Sequence, residues 1–163
     1  MIRIANKGDV ARIAEIDLFV RRFSFKDILS NDFLYGKLSY EYLKEWFTGS
    51  FIDMENNRGI KYYVLEDKNI IKGYFSIGFP PNNKECELID FLIDVPFQKN
   101  GFGALLMDYL MNIVKDMEVI TLGVFEKNFI AIRFYEKYGF KMESKHFAGG
   151  YNTNIIKYKK EIK

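Results

Sequence analysis

Two acids and a pair of glycines carry most of the chemistry this sequence offers. In CELIDFLIDV, from Cys86 to Val95, Glu87 and Asp90 interrupt an apolar run that otherwise reads as a strand buried on both faces. A charge in such a run needs a partner, because an unpaired buried carboxylate is too costly to keep. Directly after it comes FQKNGFGALLMDYL, Phe97 to Leu110, with Gly101 and Gly103 just before a long apolar pattern. The first turn of a helix has free backbone N–H groups and a partial positive charge. Glycines there let an anion approach those amides without collision, so the segment reads as a phosphate cradle.

The kind of phosphate is narrowed by what is missing. The dinucleotide fingerprint G-x-G-x-x-G fails because Leu106 stands where a third glycine is needed, and no G-x-x-x-x-G-K-[ST] run exists. The one cysteine, Cys86, has no histidine near it in sequence and reads as an inert buried residue. The one histidine, His146, falls in a late strand, where it could touch a substrate. One Cys and one His do not make a usual zinc site, so no metal is expected.

The elements that must position these residues follow from periodicity. Ile2 to Ile4 reads as a short strand. Asp9 is a candidate N-cap for a helix with Val10, Ile13, Ile16 and Val20 at helical spacing. Phe23 to Lys37 is aromatic without a period and reads as a loop or a short helical excursion. Ser39 caps a second helix with Tyr42, Leu43, Trp46 and Phe47 on one face. KYYVLE (61–66) and IIKGYFSIGF (70–79) are strands joined by turn residues, and Pro80 to Lys84 is a loop. After the glycines, Phe102, Leu105, Leu106, Tyr109, Leu110, Ile113, Val114 and Met117 predict a helix of over four turns. VITLGVF (119–125) is a strand. Asn128 caps a helix striped by Ala131, Phe134, Tyr135 and Tyr138, and Gly139 ends it in the left-handed conformation. FKMESKHF and YNTNIIKYK close the chain as strands. Strand, two helices, three strands, helix, strand, helix and two strands make an α+β fold, an α/β sandwich.

With that order in place, Gln98–Lys99–Asn100–Gly101–Phe102–Gly103 resembles the Q/R-x-x-G-x-G/A motif of the GNAT superfamily, the acyl-CoA-dependent N-acyltransferases. A second block, Asn128, Ala131, Tyr135, Gly139 and Phe140, resembles that family's N-x-x-A-x-x-x-Y-x-x-x-G-F pattern. The resemblance covers residues 60 to 145 well and the first third only in element order. Many members have glycine where this chain has Lys99, which either adds charge near phosphate or is an ordinary loop lysine. The resemblance implies a mixed, mostly antiparallel sheet of about seven strands flanked by about four helices, in one N-acetyltransferase domain over residues 1–163.

The resemblance also implies roles. Backbone N–H groups of Asn100, Gly101, Phe102, Gly103 and Ala104 would hold the pyrophosphate of acetyl-CoA, with Gln98 and Lys99 in the same loop. Leu92 and Ile93 would offer backbone groups to the pantetheine arm as a pseudo-strand, and Asn128 would contact that arm. Tyr135 would protonate the leaving thiolate. The general base is open between Glu87, eleven residues before Gln98, and Asp90, eight before it. Strand alternation sends the two acids to opposite faces unless a bulge intervenes. The acceptor, a small-molecule or protein amine, would sit among the Phe23–Lys37 loop, the second helix and the hairpin near Gly149 and Gly150. Asp27, Asp32, Asp53 and Glu55 either favour a cationic amine or are solvated surface acids. The alternative is a GNAT-fold module that binds coenzyme A as a sensor or serves only in association.

Composition agrees with a soluble globular domain: 163 residues, 48% hydrophobic and 28% charged. Twenty-four basic against 22 acidic residues leave a net charge of +2, which argues against a dedicated nucleic-acid binder. No apolar run of membrane length and no secretory signal is expected, and a lone cysteine fits a reducing compartment, so the expected location is cytoplasmic. The YNTNIIKYKK strand is a candidate edge for a homodimer.

Overall fold

The computed structural model describes residues 1–55, 59–80 and 84–163, with the side chains of 52–55 also outside the description. The middle of the Pro80–Lys84 loop, at 81–83, and the side chains of Asp53 and Glu55 therefore lie outside the described residues. The elements are β1 Ile2–Ile4, α1 Val10–Ser24, a wide helical turn Asp32–Lys37, α2 Tyr40–Glu55, β2 Ile60–Asp67, β3 Ile70–Gly78, β4 Glu85–Ile93, α3 Phe102–Ile113, β5 Val119–Phe125, α4 Phe129–Lys137, β6 Lys141–Ala148 and β7 Thr153–Glu161. Their order is the one read from the sequence.

The seven strands form one sheet in the order β1-β2-β3-β4-β5-β7-β6. Only β4 and β5 run parallel; the other neighbours are antiparallel. Period-2 alternation feeds two cores. Tyr62, Val64 and Tyr74 face α1 and α2, where Ile13, Ile16, Leu43 and Phe47 are buried. Tyr63, Phe75, Ile77 and Leu88 face the other core, with Leu106, Leu110 and Tyr135 of α3 and α4. The sheet is thus the middle layer of a sandwich, as an α+β reading expects. β7 lies between β5 and β6, so it is interior and β6 is the edge. This corrects the expectation that the YNTNIIKYKK strand presents a pairing edge.

Local chemistry fixes most boundaries. The Ser39 hydroxyl accepts from the Tyr42 N–H at 3.1 Å and starts α2. Asn128 accepts from the Ala131 N–H at 3.3 Å and starts α4, which Gly139 ends at φ +83°. Asp9 behaves differently from its expected role as the α1 cap. Its carboxylate accepts from the Asn6 N–H at 2.8 Å and from Arg3 at 2.7 Å, bracing the turn before the helix. The helix α3 stops at Ile113, short of the predicted four turns, and Val114 and Met117 are held in a following turn by the Met117 N–H to Val114 C=O bond.

Two irregularities in the sheet shape the functional end. The register β3–β4 pairs Ile77 with Leu88 but Ser76 with Asp90, leaving Ile89 as an extra residue. This bulge puts Glu87, opposite Gly78, and Asp90, opposite Ser76, on the same face. Beyond it the parallel pair opens: β4 and β5 are in register only from Glu85–Val119 to Leu88–Leu122. The second half of β4 therefore keeps side chains on both faces but leaves one backbone edge open, and Ile89 is exposed. That corrects the reading of β4 as a fully buried strand; its apolar run lines an opening.

Gly73 holds the other side of β4 in place. A Cβ there would stand 2.6 Å from the Leu92 carbonyl oxygen, closer than atoms pack. Gly73→Ala is expected to lower stability by about 1–3 kcal/mol, read as a lower urea midpoint with an unchanged slope. An unchanged midpoint would show that β4 shifts freely.

Candidate active site

Where β4 leaves β5, a cavity of about 700 Å³ opens through the sheet. Its lining joins α1, the wide turn and α2 on one side to α4 on the other, with Phe91 of β4 and Val124 of β5 from the two parting strands. Segments placed around the acceptor by sequence reasoning do meet here: Phe33 and Lys37 of the wide turn, Trp46 of α2, and Tyr151 of the β6–β7 turn. The predicted α2 face splits, however. Leu43 and Phe47 are buried, whereas Tyr42 and Trp46 are more than half exposed and line the cavity.

Asp90 sits in this cavity as part of a charged network. One oxygen accepts from the Ser76 hydroxyl at 2.6 Å and the other from Arg21 Nη2 at 3.1 Å. Arg21 in turn grips Asp17 of its own helix, through Nε at 2.5 Å and Nη2 at 3.1 Å. The Asp17 carboxylate is wholly buried and also accepts from the Tyr74 hydroxyl at 2.6 Å. Burial opposes the charge on Arg21, but the field and hydrogen bonds of Asp17, helped by Asp90, outweigh it and hold the guanidinium charged. Burial also pushes the Asp90 carboxyl above the ordinary carboxylate range; Arg21 opposes that shift and the Asp17 charge reinforces it. The Asp90 side chain is still 15% exposed, so a proton can reach it. Glu87 lines the same cavity on the same strand face, is exposed, and has no hydrogen bond or ion pair with the described residues.

Tyr135 enters from α4. Its ring is 9% exposed and meets Phe91 edge-on at 6.4 Å and Phe140 at 5.8 Å. Among the described residues its hydroxyl has no hydrogen-bond partner, yet it is not a sealed unsatisfied group, so it opens onto the cavity it lines. Burial, with the Asp90 charge as a second cause, raises the phenol well above its usual range and keeps it protonated. Cys86 lies elsewhere, buried in the core, with its thiol pushed up to about 11 by burial. His146 lies on the edge strand β6, outside the cavity lining.

The glycine loop lies between the end of β4 and α3. Lys99 at φ +63° and Gly101 at φ +81° turn the chain so that α3 begins at Phe102. None of the N–H groups from Asn100 to Ala104 donates to an acceptor among the described residues. Such a run of free donors at the N-terminus of a 12-residue helix has the geometry and partial charge that an anion can accept from. A Cβ at Gly103 would meet only ordinary contacts, Phe134 at 3.7 Å being the nearest. The fold itself therefore tolerates a side chain at 103. Gln98 turns inward, donating to the Ile93 carbonyl at 2.9 Å, and Asn100 donates to the Gln98 carbonyl at 3.2 Å.

The open edge of β4 is also specific. The Asp94 N–H donates to Lys72 on β3 at 2.9 Å, so alternation turns the backbone of Leu92 toward β3 and that of Phe91 and Ile93 toward the opening. Leu92 meets the cavity through its side chain instead. Sequence reasoning missed Phe91, Asp17, Arg21, Tyr74 and Ser76. A signal existed for two of them: Asp17 and Arg21 stand four apart on α1, and Asp17 lies within the stripe from Ile13 to Val20.

Comparison with known proteins agrees with this fold. A family model described as Acetyltransferase (GNAT) family matches residues 22–140, well over half the chain. The PaiA N-acetyltransferase from Thermoplasma acidophilum, solved with coenzyme A, superposes at a TM-score of 0.83 over 99% of this chain and 98% of its own, at 19% identity. RimL, a ribosomal-protein alpha-N-acetyltransferase also solved with coenzyme A, gives 0.75 over 99% and 93%, at 16% identity. A variant of the spermidine N-acetyltransferase SpeG from Vibrio cholerae gives 0.73 over 99% and 95%, at 19% identity. At such identities the likeness shows the fold, and the family rests on the match over 22–140. The chain is a member of the GNAT acetyltransferase family.

Proposed function

We propose that the protein moves an acetyl group from acetyl-CoA to a primary amine by direct transfer in a ternary complex. One observation carries this reading: the parting of β4 from β5 brings Asp90, Glu87 and Tyr135 into a single cavity that reaches from the α1 face of the sheet to α4. The residues fit the cosubstrate. The free N–H groups of Asn100, Gly101, Phe102, Gly103 and Ala104 suit its pyrophosphate, with Lys99 adding charge beside them. The open edge at Phe91 and Ile93 suits its amide-bearing arm, and Asn128 lines the cavity at the start of α4. Gln98 acts by bracing the end of β4 against the loop. Acetyl-CoA supplies the thioester, an activated acyl carbon with a thiol leaving group.

The chain's own residues then handle one proton and one developing charge. An alkylamine has a pKa of ~10.4, so about one molecule in a thousand is nucleophilic at neutral pH. Asp90 takes the surplus proton, directly or through water; Glu87 is the second carboxylate on that face and the rival base. Tyr135 donates to the departing sulfur. A thiol loses its proton near ~8.5, and the buried phenol is a much weaker acid than that. Full proton transfer from Tyr135 to a free thiolate is therefore uphill; its contribution is a hydrogen bond to charge as it develops, and the released thiolate takes its proton from solvent. Direct transfer is supported by the cavity lining, which among the described residues holds no cysteine or serine, Cys86 being buried away from it.

No helix among the described residues is long and apolar enough to cross a membrane; with a single cysteine, we place the protein in the cytoplasm. The reading is tested by thiol release from acetyl-CoA with and without added primary amines. Amine-dependent release supports it; binding without release with any amine would make the protein a coenzyme A binder instead. Tyr135→Phe removes an oxygen that bonds to none of the described residues, so stability should change little. Turnover is expected to fall about a hundredfold with coenzyme A affinity retained. Normal turnover would remove Tyr135 from the mechanism.

A further inference from the structure

We infer that the acceptor is a primary amine carried on an aromatic or branched apolar body, with one ammonium at the Asp90 floor and the body among rings. The inference rests on the acyl-transfer reading above and adds the substrate class.

The lining is divided by chemistry. Among the described residues its carboxylates are Asp17, Glu87 and Asp90, all on α1 and β4. The wide turn, α2 and the β6–β7 turn contribute rings, aliphatic side chains and one charge, Lys37. At the floor, two carboxylates, Asp17 and Asp90, share one guanidinium, Arg21, which leaves one negative charge uncompensated in that network, while Glu87 stands apart from it on the same strand. A single ammonium restores neutrality there. On the ring-bearing walls further from β4, a second ammonium finds no carboxylate among the described lining residues, where the one charge is Lys37, already paired with Asp32 at 3.6 Å. A polyhydroxylated amine fares no better, because rings and aliphatic groups cannot replace the water its hydroxyls lose.

The rings are already ordered. Phe25 at the end of α1 meets Phe125 of β5 at 5.1 Å, Phe125 meets Tyr151 at 5.3 Å, and Tyr151 meets Phe33 at 5.2 Å, each edge to face. Four separate segments are thus locked into one surface by mutual aromatic contacts. Tyr42 and Trp46, one turn apart on α2, supply a second ring-bearing surface, and Trp46 is 57% exposed. A body that fills the space between such rings binds a preformed site, with little ordering cost. The cavity of about 700 Å³ lies within the range of ~300–1,000 Å³ usual for small-molecule sites.

Trp46 is the only tryptophan in the chain, so its emission reports this surface alone. The full-length protein, saturated with coenzyme A, is titrated with 2-phenylethylamine, spermidine and glucosamine; kcat/KM is then measured with acetyl-CoA for each, and for a short peptide with a free N-terminus. The expected result is a saturable change in Trp46 emission with 2-phenylethylamine, and a kcat/KM for it at least tenfold above the other three. Equal or greater kcat/KM for spermidine, glucosamine or the peptide overturns the acceptor class while leaving acyl transfer intact. Failure of acetyl-CoA itself to bind, measured separately, takes down the acyl-transfer reading and this inference with it. Trp46→Ala, a change on an exposed helix face, is expected to raise KM for 2-phenylethylamine about tenfold with kcat nearly retained. An unchanged KM overturns the role of the α2 rings.

Discussion

Gly103→Val is expected to weaken coenzyme A binding by at least about a hundredfold, close to 3 kcal/mol, while the protein stays folded. The two halves of that result have separate causes. Inside the molecule, a Cβ at 103 meets Phe134 at 3.7 Å and Ile93 at 4.0 Å, both ordinary contacts, and φ is not positive there. Glycine is also a poor helix former, by about 1 kcal/mol against alanine, so a side chain in the first turn of α3 brings no intrinsic penalty. Outside the molecule, the valine methyls would stand over N–H groups that have no acceptor among the described residues. A pyrophosphate needs contact distance to those donors, and branching at Cβ denies it. Gly101 is the useful contrast. Its φ of +81° is the left-handed conformation, so Gly101→Val combines loss of binding with strain in the loop. Circular dichroism and a titration with coenzyme A separate the two; a Gly103→Val protein with native affinity would end the phosphate-cradle reading.

Asp90→Asn is expected to lower kcat by about 10²–10⁴-fold and to remove the acidic limb of the pH–rate profile. The sign follows from burial. A base works only when deprotonated, so activity falls as pH falls through its pKa. Burial raises Asp90 above the ordinary ~3.9 of an aspartate, which places that limb higher than an exposed carboxylate would. The same shift bears on stability. A carboxyl whose folded pKa is raised contributes stability below its unfolded pKa and loses it as pH rises through the folded value. Asparagine carries no charge to desolvate, and Arg21 keeps Asp17 as a one-to-one partner, so the variant should fold at neutral pH. Glu87→Gln removes an exposed group with no pairing among the described residues, and should leave the limb in place with a smaller loss of rate. If Glu87→Gln removes the limb and Asp90→Asn does not, Glu87 is the base and Asp90 a structural partner of Arg21.

The sequence was most legible where chemistry is local. β5 matches its reading residue for residue because seven apolar-rich positions are bounded by turns. The glycines marked the start of α3, and Asn128 and Gly139 bracketed α4. Legibility failed where distant groups decide. The wide turn Asp32–Lys37 has no period of its own; its Leu34 carbonyl is capped by Arg22 Nε at 2.9 Å, and the Leu38 carbonyl just after it by Arg22 Nη2 at 3.0 Å. The bulge at Ile89 carries no glycine to announce it, yet it decides that Glu87 and Asp90 share a face. Asp90 drew notice as a charge in an apolar strand, but its partners come from α1 and β3, which no spacing links to it. Edge position behaves the same way: β7 looked like a terminal strand and is interior, because β6 folds back outside it.

Whether the loop after β4 holds a pyrophosphate is tested most directly by isothermal titration of the protein with acetyl-CoA. Saturable binding in the micromolar range is the expected result, with desulfo or free coenzyme A binding in the same range because the cradle reads phosphate and not the acyl group. No heat of binding up to millimolar acetyl-CoA would contradict it: Gly101 would then only turn the chain into α3, and the cavity between β4 and β5 would belong to some other ligand.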